Sequence, residues 1–528
     1  MSSTNIRELL EKAEKQSPNK IALVENEKSY SYKELFKIVN QLANYFNQLD
    51  LKKGSRVGIY SNKSSEQVIA ILALLSTSYV IVPITRFLKP EQVKYIIDDA
   101  SISAIVTDKT KLDNIKAIDF KGKIITYEPI DDELVSFKEI YKCFNSTYNT
   151  TIHSHHSAVI TYSFGSDGSQ KGIIISHRNL IDGAIIVSKY LELKEDDIIS
   201  GLLSFNLDYG LNQIFCSLYK RATLAIHKFI LPNRFFTHLI RDKVTVLALM
   251  PVYISKMFDE ETHKLPMPEQ LDNIRVITSS GGNITDEMIK KVDTYFKKAK
   301  FYSMHGLTEA LRSTYLEPSQ IHIRPTSIGK AIPDVEVYII DEDGFECKDN
   351  EVGELIHRGA CIYKGYWNSP TETAKRFKNI SILDKVVDLS NQNSNEIVIQ
   401  TGDFVYRDKD GYIYFVDRKD DMIKTNGYRV SPKEIENVID KNFKNIDKCA
   451  VFGIPNSDIE EEIVLVYSGK SKIPKNEMLF ELKRHLATYM IPTIIEYRES
   501  LPLKASHHEK ADKHILKDEF LSKVALNI

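Results

Sequence analysis

Tyr162 to Gly172 reads Y-S-F-G-S-D-G-S-Q-K-G and gathers three glycines, three serines and a lysine into eleven residues. β-Branched apolar residues lead in at Val159 and Ile160 and lead out at Ile173 to Ile175, so the run should join two strands rather than open a helix. Gly165, Gly168 and Gly172 let a backbone turn tightly and present N–H groups to anionic oxygens. Ser163, Ser166 and Lys171 add side-chain donors and one positive charge. That is the chemistry of a phosphate grip. A flexible Gly/Ser hairpin has the same composition, so the run alone does not decide between them.

Three further segments point to the same ligand. In F-Y-S-M-H-G-L-T-E-A, Phe301 to Ala310, a glycine is followed by Thr308 and Glu309. A hydroxyl and a carboxylate at that spacing suit an α-phosphate and its Mg²⁺, a hard cation that shares carboxylates with substrate phosphates. In I-Q-T-G-D-F, Ile399 to Phe404, a strand runs into Gly402 and then Asp403, an acid placed to accept both hydroxyls of a ribose. V-D-R-K-D-D-M-I-K-T-N-G-Y-R-V-S-P-K-E-I-E, Val416 to Glu436, sets Arg418, Asp420, Lys424, Gly427 and Glu436 in fixed order. Each segment alone is weak; the four in this order are not.

In that register the chain resembles the adenylate-forming superfamily of acyl-CoA synthetases, luciferase-like enzymes and nonribosomal peptide synthetase adenylation domains. The resemblance covers nearly the whole chain. It starts at Y-S-Y-K-E-L (Tyr30 to Leu35), passes Val82-Pro83, the glycine-rich run, His177-x-Asn179-Leu180 and Ser280-Gly281-Gly282, and continues through G-L-T-E and R-P-T-S-I-G-K-A-I-P-D (Arg324 to Asp334). G-E-L-I-H-R-G (Gly353 to Gly359), K-G-Y-W-N (Lys364 to Asn368), T-G-D, D-R-K-D-D and a lysine-bearing tail at Leu501 to Lys513 complete it.

The resemblance implies an α/β fold: a large N-terminal AMP-binding domain of layered α/β subdomains, residues 1–418, and a small mobile α+β lid, 419–528, hinged at Asp420. It implies that a carboxylate and ATP form an acyl-adenylate and pyrophosphate, and that the acyl group then passes to the thiol of coenzyme A or of a carrier-protein phosphopantetheine. Carried over position by position, Ser163, Gly165, Ser166, Gly168 and Lys171 would hold the β- and γ-phosphates, Thr308 the α-phosphate and Glu309 the Mg²⁺. Gly281 and His305 would lie beside the nucleotide, His305 where an aromatic usually packs near adenine. Asp403 and Arg418 would hold the ribose, and Gly427 would lie beside the pantetheine path.

A lysine from the small domain should also reach the α-phosphate and the attacking carboxylate, and here the match departs from the family. The tail L-P-L-K-A-S-H-H-E-K-A-D-K lacks the usual glycine and carries about two extra residues. Aligning K-A-D-K makes Lys510 the candidate, with Lys504 the competitor. In the glycine-rich run, Phe164, Asp167 and Gln170 stand where the family has serine, threonine and proline. A carboxylate at Asp167 repels a triphosphate unless Mg²⁺ or Lys171 intervenes. These departures leave a second class open, a binding or scaffold member of the fold without turnover.

For the substrate, L-L-S-F-N-L-D-Y-G-L-N-Q (Leu202 to Gln213) puts Asp208 in the register where amino-acid-activating members bind the α-ammonium. A buried carboxylate would favour an amine and reject a plain fatty acid; a capping or structural acid in a loop is the alternative. By the same register Tyr209, Asn212, Thr278, Ser280, Met304, Arg312 and Ser313 would line the pocket. Arg312 would either read an acidic substrate group or pair with Asp208 and quench the ammonium site. An amino acid would favour a carrier protein as acceptor, and a carboxylic acid without an amine would favour coenzyme A. No acceptor domain fits after Leu516, so the acceptor is expected in trans.

Composition agrees. The 528 residues, 42% hydrophobic, can bury more than one core, and a net charge of −2 gives no basic field for nucleic acid. Cys143, Cys216, Cys347, Cys361 and Cys449 show neither disulfide nor zinc spacing. The amino terminus reads as a charged helix without a signal-peptide core, and Val68 to Pro83 is too short to span a bilayer and reads as a buried helix ending against a strand. A cytoplasmic protein without a membrane partner is expected. Strand-like stretches at Arg56 to Tyr60, Ala104 to Thr107 and Val244 to Met250 alternate with helical ones at Lys33 to Leu51 and Pro90 to Asp99, which argues for largely parallel α/β layers. Lys385 to Asn395 reads as a polar surface loop.

Overall fold

The computed structural model describes residues 3–525 except 87, 89, 132, 145–147, 149, 165–169, 259–264, 282–283, 391, 419–422, 426–427, 431, 457–459, 487–489 and 505–506. By contact density the chain forms two units, residues 1–338 with 356–400, and residues 339–355 with 401–528. Both are mixed α/β.

The first unit holds two large sheets. One runs Val135–Ser136, Lys123–Thr126, Ile102–Thr107, Arg56–Tyr60, Val80–Pro83, Ser157–Phe164, Gln170–Ser176. Its strands are parallel up to Ser157–Phe164, which then turns back antiparallel into Gln170–Ser176. The glycine-rich run thus joins two strands, as its apolar flanks predict. Strands buried on both faces carry continuous apolar runs: Val82, Ile59, Val106, Val159 and Ile173 are all fully buried. The helix Ser65–Leu75 is apolar around its whole circumference and is buried at every position but Glu66, the pattern of a core helix rather than a surface one. It leads into Val80–Pro83, as the sequence predicts.

The second sheet of this unit has a parallel centre, Ile21–Glu25, Thr223–Ile226, Ile198–Gly201, Val246–Leu249, Val276–Ser279 and Lys300–His305, then turns antiparallel through Thr314–Leu316 and Ser327–Ala331. Two of the quoted motifs turn out to be helix starts. In Y-S-Y-K-E-L, Ser31 caps the helix Tyr32–Asn47: Glu34 N donates to its Oγ (3.2 Å) and Ser31 N donates to Glu34 Oε2 (2.8 Å). Ser176 and Asn179 make the same reciprocal pair at the start of His177–Tyr190.

In the second unit, Ile423–Thr425, Glu460–Gly469 and Ile446–Asn456 form an antiparallel sheet with Tyr428–Val430 at one edge and Ile494–Tyr497 parallel to Glu460–Gly469. Period-two alternation sends Val451, Ile463 and Leu465 into one core with Ile435, Ile439 and Leu482, and sends Phe452, Val464 and Val466 into another with Leu516 and Phe520. Leu503–Lys504 and His507–Ala511 form a separate hairpin. Among the described residues no helix is long and apolar enough to cross a membrane.

Candidate nucleotide and substrate site

Ser163 and Lys171 are cross-strand partners at the mouth of the glycine-rich turn. The turn itself, with Gly165, Ser166, Asp167 and Gly168, lies outside the described residues, as does the side chain of Ser163. Gly172 differs from the sequence expectation. It belongs to the strand, not the turn, and a Cβ there would come within 2.8 Å of Ile160 Cγ2 and 3.0 Å of the Tyr162 ring. A side chain there would crowd the facing strand, a packing reason for glycine that the composition of the turn did not reveal.

The free edge of Gln170–Ser176 is covered by K-G-Y-W-N. Trp367 N donates to Gly172 O (2.7 Å), Ile174 N to Gly365 O (3.0 Å) and Lys364 N to Ile174 O (2.9 Å). This pairing carries Tyr366 and Glu372 into the site. Lys171 Nζ lies 3.0 Å from Glu372 Oε2, and Tyr366 donates its hydroxyl to Glu309 Oε1. Tyr363 N donates to the backbone oxygen of Glu309 (3.0 Å). The Glu372 carboxyl is held below its ordinary range, first by Lys375 and then by Lys171. Burial, and then the Glu309 charge, push the Tyr366 phenol far up, so it stays a donor at neutral pH. The sequence reading used K-G-Y-W-N only as a match and assigned neither Tyr366 nor Glu372 a part. Its one signal was the strand-like pairing potential beside the edge strand.

Thr308 is exposed and Glu309 half-buried just beyond the strand Lys300–His305. His305 ends that strand, its carbonyl accepting from Ser313 N (3.0 Å). Gly281 follows Val276–Ser279 with φ +87°, a conformation that favours glycine. Among the described residues no group of three or more His, Cys, Asp or Glu could hold a metal by itself. One carboxylate shared with phosphate oxygens is a donor set that Mg²⁺ takes, and Glu309 fits it.

Asp208 opens the helix Asp208–Lys220, where a carboxylate is favoured by the helix dipole. Its Oδ1 accepts from Tyr209 N (2.7 Å) and its Oδ2 lies 3.8 Å from Arg312 Nη1. Desolvation raises its pKa and Arg312 opposes the rise. Upstream, Lys63 Nζ caps the carbonyls of Gly201 (3.0 Å) and Leu202, pinning the end of the strand that leads into Asp208. Burial pushes the Lys63 pKa down to about 7.

Next along the helix, Tyr209 and Asn212 face a cavity of about 30 Å³ that Asp208 itself does not line. Tyr209, Asn212, Thr278, Met304 and Arg312 line it together with Tyr190, Gln213 and a wall of aliphatic side chains. The Tyr209 and Thr278 hydroxyls hydrogen-bond at 2.6 Å, and the Arg312 guanidinium lies over the Tyr209 ring at 4.3 Å. Ser280 and Ser313 are buried but do not line the cavity; Ser313 instead shares a 2.9 Å hydrogen bond with His357 Nδ1. Sequence reading missed Tyr190, which reaches the cavity from a distant helix, and Gln213, whose side-chain direction next to Asn212 is set by helix phase.

In the second unit, Gly402 and Asp403 do not end a strand; Ile397–Arg407 runs through them. Gly402 has φ +72°, its N–H donates to Glu354 Oε1 (2.9 Å), and Thr401 Oγ1 donates to Leu355 O (2.7 Å). Asp403 is fully buried and stands directly opposite Arg418 in the antiparallel pair with Ile413–Arg418. Lys504 and Lys510 sit on opposite strands of the hairpin near the C-terminus. The side chains of Arg418, Lys504 and Lys510, together with the hinge candidate Asp420, lie outside the described residues.

A family model described as AMP-binding enzyme matches residues 10–367, more than half of the chain. Tyrocidine synthase 1 of Brevibacillus parabrevis is 24% identical over 527 residues, which cover 98% of this chain and 45% of that protein. The chain therefore spans less than half the length of this relative. Among solved structures, ATP-bound MatB from Rhodopseudomonas palustris superposes with a TM-score of 0.82 at 24% identity, covering 98% of this chain and 99% of that one. O-succinylbenzoate coenzyme A synthetase (MenE) from Bacillus subtilis, in complex with ATP and magnesium ion, gives 0.79 at 22%, covering 94% and 97%. At these identities the likeness establishes the fold.

Proposed function

Because the chain belongs to the AMP-binding enzyme family, we propose that it is an ATP-dependent, AMP-forming ligase that activates a small amino acid and passes it to a thiol. One carboxylate oxygen of the substrate attacks the α-phosphorus of ATP, the bond to the β-phosphate oxygen breaks, and pyrophosphate leaves. The thiol sulfur of a carrier-protein phosphopantetheine, or of coenzyme A, then attacks the acyl carbon. AMP leaves and the thiol proton goes to solvent. The first step needs alignment and charge neutralisation more than a protein nucleophile.

The observation that carries this reading is the convergence of Lys171 and Glu309, far apart in sequence, on the one segment that presents Tyr366 and Glu372. In our reading Lys171 exchanges Glu372 for the phosphates of ATP. Glu309, oriented by Tyr366, would hold Mg²⁺, which when bound supplies charge neutralisation at those phosphates. Ser163, Gly165, Ser166 and Gly168 complete the phosphate grip, Thr308 takes the α-phosphate, and Gly281 and His305 flank the nucleotide. Asp403 and Arg418 take the ribose. By the family match alone we take Lys510 as the lysine that acts on the reacting atoms and Asp420 as the hinge.

Asp208 supports an amino-acid substrate: a desolvated carboxylate with part of its surface open gains from an incoming ammonium. The 3.8 Å approach of Arg312 favours a second reading, a coenzyme A ligase for an acid without an amine, in which Arg312 already neutralises Asp208. ATP–pyrophosphate exchange across amino acids, short fatty acids and aryl acids, repeated with Asp208→Asn, separates the two. Exchange with an amino acid that Asp208→Asn abolishes supports the first reading. Exchange with an amine-free acid that survives the substitution supports the second. Silence across the panel with no ATP binding refutes both and favours a scaffold.

A further inference from the structure

We propose that the substrate is a short amino acid with an acidic side chain, its side-chain carboxylate entering the cavity between Arg312 and Gln213 and its ammonium taken outside that cavity by Asp208. The inference rests on the adenylation reading and names the substrate class of that site.

Arg312 is the first ground. Its side chain is 5% exposed, and among the described residues it makes one hydrogen bond, Nη1 to Leu311 O at 2.5 Å. A guanidinium offers five N–H donors in a planar fork suited to a carboxylate. Its face rests on Tyr209 at 4.3 Å, and Asp208 at 3.8 Å is beyond hydrogen-bond reach. A buried cation so short of acceptors is costly unless something else supplies them.

Gln213 is the second and independent ground. It is 6% exposed and lines the same cavity, and among the described residues neither its Oε1 nor its Nε2 has a hydrogen-bond partner. Buried amides are nearly always paired, so an orphaned one facing a cavity marks the place of a polar guest. Its Nε2 supplies the donor that an Arg312-bound carboxylate still accepts.

Charge decides the class of guest. Asp208 and Arg312 sum to zero, and an ammonium arriving on Asp208 leaves the pocket one positive charge in excess. A side-chain carboxylate on the same substrate cancels that charge, so the non-reacting part of the guest enters with no net charge to desolvate. A neutral side chain leaves Arg312 without its anion, and an amine-free acid leaves Asp208 without its cation. Size limits the length. The cavity of about 30 Å³ holds roughly two waters, room for one carboxylate group and not for a long chain.

The test is ATP–pyrophosphate exchange on the full chain with aspartate, glutamate, asparagine, alanine and succinate, on wild type and on Arg312→Met and Arg312→Lys. Aspartate is expected to lead asparagine by about tenfold or more, and alanine and succinate by about a hundredfold, since buried polar groups left unpaired discriminate strongly. Arg312→Met should lower aspartate exchange about a hundredfold and remove its lead over asparagine and alanine, and Arg312→Lys should recover part of the loss. Best exchange with a neutral amino acid or with succinate overturns the inference and leaves adenylation standing. No exchange with any acid, together with no aspartate-dependent rise in Tm in the presence of ATP, overturns both.

Discussion

Glu372→Gln should tighten ATP binding. Lys171 Nζ and Glu372 Oε2 lie 3.0 Å apart with side chains 21% and 32% exposed, so the pair is partly screened. Coulomb's law alone gives about 5 kcal/mol at that distance for an effective dielectric near 20 and about 1.4 kcal/mol for that of water. Desolvation and side-chain ordering cut measured values for such pairs to roughly 0.2–1 kcal/mol. Glu372 also divides itself between Lys171 and Lys375, whose Nζ lies 2.5 Å from Oε1, which argues against the upper Coulomb figure. If ATP must displace Glu372 to engage Lys171, removing the carboxylate returns about 0.5–1 kcal/mol to binding, a two- to fivefold lower Kd. Loss of a negative charge beside a triphosphate acts in the same direction. Calorimetric titration with ATP and Mg²⁺ at several salt concentrations reads both effects, and the difference from wild type should shrink as ionic strength rises. Weaker ATP binding in Glu372→Gln, or a difference indifferent to salt, would refute the idea that Glu372 holds the place of the phosphates.

Gly172→Ala should cost roughly 1–3 kcal/mol and several degrees of Tm, because the new methyl meets Ile160 Cγ2 at 2.8 Å and the Tyr162 ring at 3.0 Å; a Tm within a degree of wild type contradicts the packing reason. Lys510→Ala should lower pyrophosphate exchange by about a hundredfold or more with ATP binding retained, and Lys504→Ala by only a few-fold; the reverse order makes Lys504 the catalytic lysine. Burial pushes the His357 pKa down from 6.5 to about 4, with Nε2 donating to Ala360 O and Nδ1 accepting from Ser313. Because the folded value lies below the unfolded one, its contribution is whole above about pH 6.5 and is lost as pH falls toward 4. His357→Gln cannot charge, so its Tm should fall less steeply than wild type over that window; equal slopes in thermal melts refute the assignment.

Local chemistry was legible in the sequence wherever a short segment determines its own structure. The apolar β-branched flanks of the glycine-rich run predicted that it joins two strands, and it does. The capping boxes of Ser31 with Glu34 and of Ser176 with Asn179 are likewise complete within four residues, although in the sequence those segments serve only as family matches. Val68 to Pro83 announced a buried helix and strand because its apolar residues face every direction. The family followed from the order of such motifs, and with it the expectation that Asp403 and Arg418 act together, which their cross-strand register accommodates.

Tertiary structure alone decided what depends on residues far apart. That Gly172 is a packing residue follows from the positions of Ile160 and Tyr162, not from the composition of the turn. Tyr366 and Glu372 reach Glu309 and Lys171 because Gly172–Ile174 accepts Lys364–Trp367 as a neighbour along its edge. Of the pocket residues expected from register, Tyr209, Asn212, Thr278, Met304 and Arg312 share a cavity while Ser280 and Ser313 do not line it. A side chain's direction depends on strand register and helix phase together, and one residue of slip reverses it. The distance between Asp208 and Arg312 and the orphaned amide of Gln213 carry the substrate inference. They arise where helix Asp208–Lys220 shares a cavity with Thr278 and Met304 of two separate strands, a juxtaposition that local sequence does not encode.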